Sequence, residues 1–300
     1  MVAFCVITKT TTIKGKIVMK SIKDSFILNN GVHLPCVGFG TYKAEEGQNT
    51  VDAIVCALQN GYRHIDTATF YKNEVSVGKA IKQSGIDRKE IFVTTKLWTN
   101  ERGYKQAKQA LEESLNRLEL DYIDMQLIHW PASPNKQDDW IIVNLATWQA
   151  MQEGVEQGKI RAIGVSNFMK HHLQALVKSD VIPAVNQIEY HPGHMQSETV
   201  EFCKKYGVLI QAWSPMARGR LNDHPLLNDI AKKHNVSVQQ VCLRWCLQNG
   251  VNPLPKSVTP SRIKQNADLF SFVLTNDEMT AINNMPPCAA GGRHPDEVDF

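Results

Sequence analysis

From residue 26 onward the chain alternates two patterns. Short runs of β-branched, aromatic and small residues occupy 37–42, 64–68, 92–98, 125–130, 162–167, 184–190, 209–215 and 252–257. Between them lie longer stretches with helical periodicity. Ala107, Leu111, Leu115 and Leu118 recur at steps of four, four and three; Leu145, Trp148, Met151 and Val155 recur at three, three and four. Strand alternating with helix predicts parallel strands and right-handed crossovers. Eight such units close into an α/β (β/α)8 TIM barrel rather than an open sheet. Residues 26–34 carry Asn29, Asn30 and Gly31 between apolar ends, which predicts an N-terminal β-hairpin closing the barrel's bottom. No Pro-, Ser- or Gly-rich linker divides the chain beyond it, so 24–300 is expected as one domain. The stretch 286–300, rich in Pro and Gly and without a period, is expected to wrap as a loop.

The N-terminal stretch changes this picture. Lys9, Lys14, Lys16, Lys20 and Lys23 precede the first acid, Asp24. Setting those five charges aside takes the net +3 to −2. A body so close to neutral argues against nucleic acid as the main partner. The apolar residues 1–7 come before the charges, the reverse of a signal peptide, and the segment lacks the Arg of a transit peptide. Residues 1–23 are expected as a disordered extension, with Met19 an alternative start. With 43% hydrophobic and 21% charged residues the chain reads as globular. No apolar run approaches the roughly 18 residues of a membrane span. The seven cysteines lack CxxC spacing, and Cys242 and Cys246 share a helix face. They read as buried free thiols, which implies a reducing, cytoplasmic setting.

In barrel enzymes the chemistry sits at the C-terminal strand ends and in the loops after them. Asp66 ends the second expected strand, Tyr71 lies five residues on, Lys96 ends the third and His129 the fourth. A phenol titrates near pH 10 and is a poor acid at neutrality. A nearby ammonium favours the phenolate, so Lys96 is expected to lower the Tyr71 pKa. Asp66 would keep Lys96 charged, and His129 would hydrogen-bond a substrate oxygen. Together they suit protonation of a carbonyl oxygen as its carbon receives a hydride. Singly, each has a plainer reading: a helix cap, a salt-bridged lysine, a core histidine.

These residues also carry a resemblance. Residues 61–68 (Gly-Tyr-Arg-His-Ile-Asp-Thr-Ala), then Tyr71, Asn73, Glu74 and Gly78, resemble the first signature of the aldo-keto reductases. Lys96-Leu97-Trp98, residues 127–131, 164–168 and 186–192, Trp213-Ser214-Pro215 and Pro255-Lys256-Ser257 continue it in order. The short loops and residues 294–298 are similar to the bacterial diketogluconate reductase and prostaglandin F synthase branch. The resemblance implies Tyr71 as general acid, Lys96 and Asp66 as its paired support, and His129 as the group orienting the carbonyl. It implies that Ser166, Asn167 and Gln187 hold a nicotinamide carboxamide and that Trp213 stacks on the ring. Lys256, Ser257, Arg262, Gln265 and Asn266 would hold the adenosine end. Gly40, Thr41, Tyr42, Asp66, Ser214 and Val258 would line the rest of the cofactor path. Tyr42, Trp98, His129 and Trp130 would wall the substrate pocket. Two positions depart: Tyr42 stands where many members carry Trp or Phe, and Met216 replaces a common Leu.

Gly38-Phe39-Gly40 lacks the third glycine of a Rossmann fingerprint. The phosphate site of barrels usually lies after strands seven and eight, where Lys256 and Arg262 fall beside a helix start near Pro260. Two cations there suit the 2′-phosphate of NADP. His191 and His194 are set aside as metal ligands because Pro192 and Gly193 break any helix between them. The adjacent His171 and His172 are expected to diverge, so no metal site is expected. The expected function is NADPH-dependent reduction of a small-molecule carbonyl (a small aldehyde, dicarbonyl or keto-sugar) by a monomer. A cofactor-binding regulatory subunit on the same barrel remains the alternative.

Overall fold

The computed structural model describes residues 12–13, 16–17, 19–132 and 138–298. β1 (Thr12–Ile13) pairs antiparallel with β2 (Lys16–Ile17). The next hairpin joins β3 (Ser25–Ile27) to β4 (His33–Pro35) through Gly31, whose φ of 82° suits a residue without Cβ. Asn29 and Asn30 donate from their side chains to the carbonyls of Pro183 (3.0 Å) and Arg161 (3.1 Å). Leu28 and Leu34 pack against Phe92, Met125, Ala162 and Ala184, so the hairpin closes the strands' N-terminal end as expected.

Eight strands follow in one parallel sheet whose neighbours run in sequence order. They are β5 (Phe39–Gly40), β6 (His64–Asp66), β7 (Phe92–Leu97), β8 (Ile123–Ile128), β9 (Ile160–Ser166), β10 (Val185–Glu189), β11 (Leu209–Trp213) and β12 (Asn252–Leu254). Each lies in or overlaps an expected run. Gly38 and Gly40 donate their N–H groups to the carbonyls of Pro253 and Pro255, both at 3.0 Å, and so join β5 to β12. A Cβ on Gly38 would lie 2.4 Å from a Leu254 methyl and 2.5 Å from His64 Nδ1. Glycine is what lets the first strand approach the last. Every residue of β7 and β8 is buried, as parallel strands covered on both faces require.

The helices α1 (Gln48–Gln59), α2 (Glu74–Gln83), α3 (Tyr104–Leu118), α4 (Trp140–Glu156), α5 (Lys170–Leu176) and α6 (Ser197–Lys205) each follow one strand. α7 (Pro225–His234) and α8 (Val238–Gln248) separate β11 from β12, and α9 (Pro260–Ala267) and α10 (Asn276–Asn283) come after it. α3 buries the four positions its period predicts. α4 departs from expectation: Trp148 and Met151 are buried, but Leu145 is 37% exposed. Asn144 is buried in that turn instead, because its amide both receives the Ala132 N–H and donates to the Ala132 carbonyl.

The start of the barrel also departs from expectation. Met19 is 4% exposed, and its carbonyl accepts from Arg244 at 3.0 Å. The N–H groups of Lys20 and Ser21 donate to Asp24. The chain is therefore packed on the barrel from Met19, five residues before the expected boundary. The rest of the expected extension, residues 1–11, 14, 15 and 18, lies outside the described residues.

Candidate active site

β6 and β7 pair with Asp66 opposite Thr94, and β7 pairs with β8 with Lys96 opposite Leu127. That register delivers Asp66, Lys96 and, one residue past β8, His129 to the same barrel end. A short 3-10 turn, Thr69–Tyr71, brings the phenol back over them. Lys96 is fully buried, and its Nζ donates to Asp66 Oδ1 at 2.5 Å, to the Thr67 carbonyl at 2.9 Å and to Tyr71 Oη at 3.4 Å. Gln187 donates to the second oxygen of Asp66 at 2.8 Å. The Tyr71 and His129 rings meet edge to face at 5.5 Å. All four expected catalytic residues therefore meet at one end of the barrel.

The electrostatics correct one expectation. Burial, then Asp66, then Tyr42 place the Tyr71 phenol well above the usual tyrosine range, so its net shift is upward despite the Lys96 ammonium beside it. The ammonium lies nearer the Asp66 carboxylate than the phenol, and burial holds its own pKa below the usual lysine value despite Asp66. Tyr71 thus keeps its proton near neutrality. A donor to a developing alkoxide requires this state, since an alkoxide is far more basic than a phenolate. His129 lies well below the usual histidine range, from burial first and Lys96 second. It is a neutral imidazole at pH 7, able to hydrogen-bond but carrying no charge.

Around this group the aromatic walls take shape. Trp98 stacks on Phe70 at 3.9 Å and meets His129 edge to face at 5.1 Å. Tyr42 is 40% exposed with its ring 5.1 Å from Tyr71, and Trp130 follows His129 half-buried. Buried Thr41 donates its hydroxyl to the Asp66 carbonyl, and Gly40 lies on the β5–β12 seam. Ser166 at the end of β9 donates to the Gln187 carbonyl, and Asn167 just beyond donates to the His129 carbonyl at 2.9 Å. Trp213 Nε1 donates to Asn167 Oδ1 at 2.8 Å, and Ser214 follows with a φ of 50°. Gln187 is the member whose placement adds a role, since its amide nitrogen is directed at Asp66.

The other half of the expected cofactor path lies beyond β12. Lys256 is half-buried and donates to the Lys43 carbonyl at 3.3 Å. Burial and Lys43 hold its ammonium below the usual lysine value. Ser257 and Asn266 are buried, whereas Val258, Arg262 and Gln265 are exposed. The side chain of Thr259, which caps α9, makes no cap hydrogen bond, so the first-turn amides of α9 have no side-chain acceptor there.

The roles of several residues escape the sequence reading. Phe70 carries the Trp98 stack. Asn73 donates to the Thr41 and Ala44 carbonyls and accepts from Thr67, which ties the loop of Tyr42 to that of Tyr71. Arg218 lies 5.9 Å from the Tyr42 ring and 5.8 Å from the Trp213 ring. The histidine pair is a second correction: His171 and His172 do not diverge. At the first turn of α5 their rings lie 3.9 Å apart, and their Nε2 atoms approach Asp296 Oδ1 at 3.1 and 2.9 Å. The Met169 N–H donates to His172 Nδ1, which leaves the proton of the neutral ring on Nε2, toward Asp296.

Comparison with known proteins agrees with this geometry. The family model described as the aldo/keto reductase family matches residues 36–285. The glyoxal reductase of Bacillus subtilis is 46% identical over 281 residues, which cover 93% of this chain and 99% of that protein. The 9,11-endoperoxide prostaglandin H2 reductase of Trypanosoma cruzi is 43% identical, covering 90% of this chain and 94% of its own. A crystal structure of a Bombyx mori aldo-keto reductase in complex with NADP is 38% identical, with a TM-score of 0.79 over 88% of this chain and 92% of that one. The chain belongs to the aldo-keto reductase family. It is an enzyme of the oxidoreductase class, and the solved relatives share its barrel.

Proposed function

We propose that this protein reduces the carbonyl of a small aldehyde, ketone or dicarbonyl to the alcohol, with NADPH as reductant and Tyr71 as general acid. One observation carries the reading: Lys96 Nζ reaches Asp66, the Thr67 carbonyl and Tyr71 Oη at once. The glyoxal reductase relative supports a small dicarbonyl, and the Bombyx relative's NADP supports the cofactor. The residues fit that cofactor. Lys256 lies beside α9 and Arg262 on it, the Thr259 side chain leaves the first turn uncapped, and an anion there would favour the Lys256 ammonium that burial and Lys43 disfavour. Trp213, Asn167 and Ser166 would take the nicotinamide end, and the bound cofactor supplies a hydride to the carbonyl carbon. Tyr71 passes its proton to the carbonyl oxygen, and neutral His129 hydrogen-bonds that oxygen and holds it in line. Trp98, Phe70, Tyr42 and Trp130 exclude water from the reacting end. Steady-state kinetics over a carbonyl panel with NADPH and NADH tests this. NADPH-dependent turnover of small aldehydes and dicarbonyls is expected, and absence of turnover across the panel overturns it.

A further inference from the structure

The C-terminal segment 286–298 crosses the rim of the barrel beside the active site and is held at three places. Near its start, the Cys288 N–H donates to the Gly193 carbonyl at 2.9 Å. Near its end, Asp296 meets His171 and His172, and Val298 is 3% exposed. Between these, the N–H of Gly291 donates to both carboxylate oxygens of Glu189 (3.0 and 3.2 Å), and that of Gly292 donates to Oε2 at 2.7 Å. Glu189 is 3% exposed at the end of β10, and the sheet register pairs it with Trp213 at the end of β11. His191 and Arg220 also approach its carboxylate, at 3.6 and 3.5 Å.

The middle anchor bears on the active site. A Cβ added to Gly292 would lie 2.6 Å from Trp213 Cη2, 3.1 Å from Cζ2 and 2.8 Å from Glu189 Oε2. The backbone of Gly292 is therefore in contact with the benzo edge of the indole. The adjacent pyrrole N–H, one ring atom from Cζ2, is fixed by its bond to Asn167 Oδ1 at 2.8 Å. The ring is thus held along one side, by Gly292 at Cη2 and Cζ2 and by Asn167 at Nε1, with the Arg218 guanidinium 5.8 Å from the ring. A buried carboxylate accepting three backbone N–H bonds is costly to desolvate and weak evidence for stability alone. It does fix the place of a backbone with no side chain of its own.

We infer that Glu189 and Gly292 are positioning residues: Glu189 fixes Gly292, and Gly292 sets the plane of Trp213. This rests on the reading that Trp213 stacks on the nicotinamide. A displaced indole loses aromatic overlap with that ring, so cofactor affinity falls first.

The test compares Gly292→Ala, Glu189→Gln and Trp213→Ala in the full-length protein. NADPH affinity is read by calorimetric titration, KM and kcat by kinetics, and folding by Tm. Glu189→Gln offers the glycine amides one acceptor oxygen in place of two. Both Gly292→Ala and Glu189→Gln are expected to raise the NADPH Kd roughly fivefold to tenfold, the scale of coupling between residues in contact. KM for NADPH should rise with it while kcat changes less. On a Trp213→Ala background neither change should weaken NADPH further. Trp213→Phe, which lacks the Cη2 edge, should restore the affinity lost in Gly292→Ala. If Trp213→Ala leaves the NADPH Kd unchanged, the stacking reading fails. If Trp213→Ala weakens NADPH but Glu189→Gln does not, the positioning role fails. If Gly292→Ala does not fold, Glu189→Gln and its double variant decide alone. Losses that add fully on the Trp213→Ala background also overturn the inference.

Discussion

Lys96 is buried and its ammonium meets three oxygens, whereas Arg262 stands exposed on α9. The first sits where β6, β7 and β8 bring Asp66, Tyr71 and His129 together. The second sits at a helix start beyond the last strand. Under the proposed function, the difference follows from what each end would have to do. Proton transfer depends on distances and on charge out of water, so its groups are fixed in advance inside the sheet. A phosphate carries its own charge and is recognised at a surface, where long cationic side chains and backbone amides suffice. The reacting end should therefore be intolerant of substitution and little affected by salt, and the phosphate end the reverse.

The sharpest way to break this contrast is at Tyr71. Tyr71→Phe removes the proton and little else, so kcat should fall about 10²- to 10⁴-fold while NADPH affinity stays as it was. Kinetics beside cofactor titration checks both halves, and a variant keeping half the wild-type kcat contradicts the assignment. Lys96→Met should lower kcat and move the pH dependence of the remaining activity upward, because the phenol loses the ammonium 3.4 Å from its oxygen. It also leaves Asp66 buried without its ion-pair partner, a change that costs about 3–5 kcal/mol in comparable sites. Chemical denaturation would measure that cost, and an unchanged rate and stability would remove Lys96 from the site.

At the phosphate end effects should be smaller and confined to binding. Hydrogen bonds to charged groups are worth about 1.5–3 kcal/mol. Arg262→Ala should weaken NADPH at least about tenfold and leave NADH nearly untouched. The wild-type NADPH affinity should fall with added salt, which screens exposed charges. Fluorescence titration of both cofactors distinguishes these outcomes. Equal weakening of both would make Arg262 structural.

The smallest effect concerns acid and the scaffold beneath both ends. Burial pushes His64 down to about 3 and His172 down to about 4, from an ordinary value of 6.5. Both rings are neutral in the fold and take up protons on unfolding in acid. Their contribution is fully present above pH 6.5 and is lost as pH falls from there toward 4 and 3. Tm should drop over that interval. His172→Asn should flatten part of the drop, and an identical pH dependence in the variant would show that His172 does not contribute.

Much of this was legible in the sequence, and the misses share a cause. The eight strands showed because apolar runs of fixed type recur between amphipathic stretches. Asp66, Lys96 and His129 showed because ionisable residues close three of those runs. The Tyr71 pKa direction did not, because spacing reveals a neighbouring ammonium but not how deeply the phenol is enclosed. Leu145 was misread because an asparagine with two backbone partners displaced it from the core. The convergence of His171 and His172 depends on Asp296, which lies 125 residues from His171. Gly292 beside Trp213 is invisible for the same reason, since no local pattern marks where a tail crosses a barrel.

The seam between β5 and β12 has a consequence for the chain's birth. Chains are made from the N-terminus, and the strand that completes this ring is the eighth. While a ribosome is still extending the protein, β5 presents the N–H groups of Gly38 and Gly40 with no acceptor, because Pro253 and Pro255 have yet to emerge. An uncovered strand edge invites pairing with other chains. Here that edge is two residues long and interrupted by glycine, a poor template for a neighbour. The shortness of the first strand thus guards the nascent protein during the interval before its circle can close.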